Sequence, residues 1–299
     1  MKPETEDLGQ KNQQKGKENN FMNKVAKRLL TFFIGTPIII LIVFCDYLNH
    51  LPLQIVLGIF SVLGANEFYT MISKRNKLFT KEIVLIATVL LPFACYIFIL
   101  SNLPLDITPW LFIAIIILLM GFESFTAKTF ENSLSKLAYS TLTIFYCGFL
   151  ITFISRMTLF PNAKYIISLF LIFVFMCDSC AWFFGILFGK STRGFVAASP
   201  NKSIVGFIGG IIGSIAFGLL FKLIFPDVIT ISYRNLVILG IITSLAAIIG
   251  DLIESVFKRS CEVKDSGNLI PGRGGVLDSI DSILIAAPIF YIGYNFLFL

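Results

Sequence analysis

The sequence predicts an all-α integral membrane protein of about nine transmembrane helices. Hydrophobic residues make up 56% of the chain and charged residues only 14%, and the mean hydropathy is +0.85. So few polar groups cannot cover a soluble domain of this size. Apolar runs near the ~20 residues that cross a hydrocarbon core recur from one end of the chain to the other.

Residues 1–20 are rich in Gln, Asn, Lys and Glu and carry too little apolar surface to fold, so a disordered polar tail is expected. The first apolar run, 29–47, contains Pro37 and ends without a small-residue cleavage site, which reads as a retained anchor. Further spans are predicted at 53–72, 82–101, 107–126, 137–155, 165–188, 204–225, 235–257 and 281–299. A cytoplasmic N-terminus then puts 20 of the 24 Lys and Arg residues on the inner side and leaves Arg156, Lys164, Lys222 and Arg234 outside. The organisation that follows is a tail at 1–20, N-terminal helices at 21–164 and a C-terminal transmembrane region at 165–299 with its polar face toward the cytoplasm.

The net charge of +6 is spread over short loops and the tail, where membrane orientation accounts for it, and nucleic-acid binding is excluded as its purpose. Cys177 and Cys180 have the spacing of a metal-binding pair, but no second pair or nearby His completes four ligands, so they are read as small buried hydrophobes. His50 falls at the membrane face far from the polar loops. Gly206, Gly209, Gly210 and Gly213 have the small-residue spacing that lets helices approach closely. Glu67, near Lys74 and Arg75, reads as a helix-end residue rather than a catalytic one.

Chemistry gathers between Gly250 and Ser282, where a hydrophobic run acquires six of the chain's 18 acidic residues. Asp251 and Glu254 stand at i and i+3 on one helix, and Asp278 and Asp281 repeat that spacing at the start of the next. Carboxylates near hydrocarbon need a cation, a basic partner or water. Hard oxygen ligands without available Cys or His favour Mg²⁺. Lys258, Arg259, Lys264 and Arg273 can offset phosphate charge, while Gly272, Gly274 and Gly275 let backbone amides approach phosphate oxygens. Upstream, Asp178 lies inside an apolar helix, and a carboxylate at membrane depth is a functional candidate by default.

This stretch resembles the signature of the phosphatidate cytidylyltransferase, or CDP-diacylglycerol synthase, family. The matching residues are Ser255, Lys258, Arg259, Lys264, Asp265, Ser266, Gly267, Pro271, Gly272, Gly274, Gly275, Asp278 and Asp281. A second match follows the Asp-bearing helix, at Asp178, Gly189, Lys190, Ser199, Pro200 and Lys202. Arg273 stands where the family has His, and Ser279 where it has Arg.

The resemblance implies transfer of a cytidylyl group from CTP, or dCTP, to phosphatidate, giving CDP-diacylglycerol and pyrophosphate. It implies a metal site of Asp251, Asp278 and Asp281 holding Mg²⁺, with a second cation possible, and a catalytic set that adds Lys264 and Asp265. Asp178, Ser199, Lys202, Lys258, Arg259, Arg273, Gly274 and Gly275 are expected to bind substrate. A bacterial-type inner membrane, a cytoplasm-facing site and a homodimer are further expectations. A CTP-dependent polyprenol or phytol kinase, a transporter and an inactive paralogue are the alternatives this reading leaves open.

Overall fold

A computed structural model describes residues 35–270, 272 and 274–298. The tail expected at 1–20, residues 29–34 of the first predicted span, Pro271 and Arg273 lie outside the described residues. Among those described, the chain is helical throughout, with no named strand and eight helices long and apolar enough to cross a membrane. The protein is an all-α integral membrane protein, as its composition requires.

The order is α1 (Gly35–Phe44), α2 (Tyr47–Ile72), α3 (Lys81–Leu100), α4 (Ile107–Thr126), α5 (Ser133–Thr143), α6 (Thr152–Met157), α7 (Ala163–Leu187), α8 (Ile204–Ile224), α9 (Tyr233–Ser260) and α10 (Leu277–Phe298). Helices α5 and α6 form one crossing, joined through a π-helical turn at Ile144–Phe149. Each predicted span from 53 onward therefore has its helix. At 28 residues α9 is about 42 Å long, more than the ~30 Å of hydrocarbon, so its last turns can stand in the polar layer.

The helices are apolar around most of their circumference because lipid and core demand the same side chains. Burial separates the two. Phe170, Phe173, Leu284 and Phe290 are fully enclosed where α7 and α10 meet, whereas Trp110, Ile117, Leu118 and Phe125 line an exposed stripe of α4. Helices α7 and α8 approach closely along the glycines picked out by spacing. A Cβ on Gly210 would lie 2.8 Å from the Cys177 carbonyl oxygen. Cys177 and Cys180 are free thiols packed against this seam, and no metal-ligand group of three forms among the described residues. His50 is buried, with Nδ1 3.1 Å from the Val43 carbonyl oxygen.

One end of the bundle collects the C-termini of α2, α7 and α9, the N-termini of α8 and α10, and the connections at 188–203 and 261–276. An aromatic trio lies beneath it. Phe68 of α2 is 5.2 Å from Phe257 of α9 and 5.5 Å from Tyr146 of the π turn, and Tyr146 stands edge-on to Phe257 at 5.5 Å. Burying three aromatic rings together fixes their helices relative to one another. Glu67 and Lys258, each one residue from a member of the trio, are thereby fixed as well.

Candidate active site

The α9–α10 pair carries the acidic residues, and its close approach begins at Gly250. A Cβ there would lie 2.7 Å from the Asp281 carbonyl oxygen and 3.0 Å from Ser282 Cα. Only glycine allows the two backbones this contact, and it places Asp251 and Asp281 on neighbouring helices at the same level. Glu254, one turn further along α9, has no exposed side-chain surface.

Lys258 follows Glu254 by one helical turn and ends between two carboxylates. Its ammonium pairs with Glu254 and lies 2.6 Å from Asp278 Oδ1. The other oxygen of Glu254, Oε1, is buried without a hydrogen-bond donor, and the Asp281 carboxyl approaches the same group. Two buried carboxyl groups side by side with an unmatched oxygen call for a proton or a cation between them.

Asp278 organises the loop. Its Oδ2 accepts hydrogen bonds from Ser266 N at 2.9 Å, Ser266 Oγ at 2.9 Å and Gly275 N at 2.7 Å. Gly274, with φ +110°, is held so close that a Cβ would lie 3.2 Å from Asp278 Cγ. Ile270 and Gly274 exchange backbone hydrogen bonds of 2.8 and 3.1 Å. The loop is therefore wrapped around one carboxylate at the start of α10.

A second carboxylate enters from the other half of the chain. Glu67 of α2 accepts from Val276 N at 3.0 Å, Leu277 N at 2.9 Å and Ser266 Oγ at 3.0 Å. This is the site-end residue that sequence reading set aside. Its neighbours Lys74 and Arg75 offered a simple explanation, yet Arg75 pairs with Glu262 instead. The available signal was a carboxylate near the end of an apolar helix; its partners, about two hundred positions away, are visible only in the fold.

The connection at 188–203 reaches the same place. Lys202 pairs with Asp251, and Ala198 accepts from Arg259 Nε at 3.2 Å. Ser199 is half-buried in the turn that precedes Lys202, its carbonyl accepting from Lys202 N at 3.1 Å. Asp178 is half-buried on α7 and, with Asp251, lies within electrostatic reach of the Cys177 thiol. Lys264 and Asp265 are exposed on the loop. Arg259, also exposed, directs its donors to backbone carbonyls of Ala198 and Val263. The fold thus brings Lys202, Asp251, Glu254, Lys258, Gly274, Gly275, Asp278 and Asp281 to one helix end and leaves Lys264, Asp265 and Arg259 at its solvent margin.

Residues 26–297 match the sequence profile of the cytidylyltransferase family. The chain belongs to that family. It is 37% identical over 163 residues to a phosphatidate cytidylyltransferase of Thermotoga maritima, a match covering 54% of this chain and 59% of the relative. Against the enzyme of that name from Haemophilus influenzae identity is 39% over 172 residues, covering 56% and 59%. For the Staphylococcus saprophyticus enzyme it is 35% over 194 residues, covering 62% and 72%. The chain therefore spans about three fifths of the first two relatives' length. In this cytidylyltransferase family member the polar helix end draws on both halves of the chain, since Glu67 and Lys258 each adjoin a ring of one aromatic trio.

Proposed function

We propose that the chain transfers a cytidylyl group from CTP or dCTP to phosphatidate at the cytoplasmic face of a bacterial inner membrane. The observation that carries this is the joining of the family's signature residues into one polar site at a helix end, where a lipid headgroup and a soluble nucleotide can both arrive. A phosphate oxygen of phosphatidate would attack the α-phosphorus of CTP; that P–O bond forms, the α–β bond breaks, and pyrophosphate leaves. The nucleophile is already ionised near neutrality, so the site's tasks are to offset repulsion and to align the two phosphates.

The side chains fit that division of labour. Lys202 and Lys258 bring positive charge to the acidic level, and each is paired with carboxylates that hold it in place. Burial of the headgroup between helices keeps out water, the competing nucleophile.

The donor set also suits a divalent cation. Every candidate ligand is a hard oxygen, and the unmatched Glu254 Oε1 beside Asp281 marks a place where positive charge is wanted. Asp251 and Asp281 would hold Mg²⁺; Asp278 could join through Oδ1, which Lys258 now occupies. Bound there, Mg²⁺ would supply charge neutralisation for the phosphates.

The test is an assay of the purified chain in mixed lipid micelles with phosphatidate, Mg²⁺ and labelled CTP or dCTP. Lipid-linked cytidine nucleotide and pyrophosphate are expected in equal amounts. Asp251→Asn should lower turnover by about 10²–10³-fold, the scale of one lost charge contact in a transition state. Release of CDP with phosphorylation of a lipid alcohol would instead establish the kinase chemistry, and absence of any nucleotide transfer would refute the proposal.

A further inference from the structure

We infer that Glu67 is a positioning residue for the signature loop: it holds the start of α10 and Ser266 in the arrangement that presents Asp278 and Lys258. The inference rests on the proposed cytidylyl transfer for its effect on rate, though not for its effect on structure.

The carboxylate of Glu67 occupies the N-terminus of α10. There the backbone N–H groups have no partner within the helix, and the helix dipole is positive. Both oxygens are used: Oε1 accepts from Val276 N and Oε2 from Leu277 N. A cap normally comes from the residue just before its helix. Here it comes from α2, 209 and 210 positions away.

Ser266 connects this cap to Asp278. Its hydroxyl lies 3.0 Å from Glu67 Oε2 and 2.9 Å from Asp278 Oδ2, so one proton serves two carboxylates, while its amide donates to Asp278. Asp278 in turn receives Lys258. Glu67, Ser266, Asp278 and Lys258 form one continuous chain of contacts from α2 through the loop to α9.

The signature's own glycines record the presence of Glu67. A Cβ on Gly267 or on Gly275 would each lie 2.7 Å from Glu67 Cδ. For Gly267, the three nearest atoms that such a Cβ would meet all belong to Glu67. The absence of a side chain at 267 is therefore explained by a residue in the other half of the protein, which makes the relation testable by a double-mutant cycle.

Three measurements on the full-length protein in lipid micelles decide the matter. Hydrogen exchange should accelerate at Val276 and Leu277 in Glu67→Ala and Glu67→Gln, with the overall melting temperature held near wild type. The kcat for cytidylyl transfer should fall about a hundredfold, the scale of a misplaced catalytic group, with KM for phosphatidate near the wild-type value. Gly267→Ala should slow the reaction in the wild-type background and cost nothing further in Glu67→Ala, because the obstructing carboxylate is gone. Uniformly faster exchange with a lowered melting temperature, or additive effects of the two substitutions, would overturn the inference in favour of a general packing role. Should wild type fail to transfer nucleotide, the functional reading falls, and the exchange data still decide whether Glu67 holds the loop.

Discussion

Lys258→Met removes the charge at the centre of the site while keeping an unbranched apolar stem. In the native protein the Lys258 side chain is 13% exposed and its partners Glu254 and Asp278 are 0% and 6% exposed. A surface ion pair at this spacing would contribute at most about 1 kcal/mol. A buried one behaves differently, because deleting one partner leaves the others charged without compensation, at a cost of about 3–5 kcal/mol. The loss here should sit within that range, since two carboxylates lose one shared cation and the Asp281 carboxyl lies close to one of them. Unfolding in graded mixtures of SDS and a mild detergent, followed by circular dichroism, measures it. Glu254→Gln in the Lys258→Met background removes the stranded charge and should restore a large part of the loss. A cost below about 1 kcal/mol for Lys258→Met would show that water reaches the cluster, and the site as described would be wrong. Additivity of the two substitutions would refute the coupling between the side chains.

Two other expectations concern packing and orientation. Gly250→Ala should cost about 1–3 kcal/mol in the same unfolding assay, because its Cβ would meet the backbone of α10 rather than a side chain able to move. Gly58→Ala, which meets nothing within 4 Å, is the matched control and should cost nothing measurable. In a variant lacking the six native cysteines, a membrane-impermeant thiol reagent applied to intact cells should miss Ser266→Cys and label Thr230→Cys on the connection at the other end of the bundle. The reverse pattern would place the site outside the cytoplasm and refute the access of CTP.

What the sequence determined by itself was the class of protein, the positions of its crossings and the place where its chemistry gathers. Each is a local property. Hydropathy over about 20 residues settles whether a segment crosses hydrocarbon, and an acid pair at i and i+3 shares a helix face whatever surrounds it. Spacing also identified the close glycines of α8, since small residues at that interval have one common use between membrane helices.

Tertiary structure decided which polar residues meet. Lys258 and Arg259 are adjacent and both cationic, yet one turns inward to Glu254 and Asp278 while the other lies exposed along the connection at 188–203. Asp278, which spacing puts on one helix face with Asp281, also binds the loop that precedes it. The clearest case is Glu67. Its sequence neighbours are basic residues that explain it away, and its function depends on Phe68 packing against Tyr146 and Phe257, which delivers the carboxylate to amides more than two hundred residues further on. No local pattern encodes such a meeting, because it is set by how the helices pack and not by the period of any one of them.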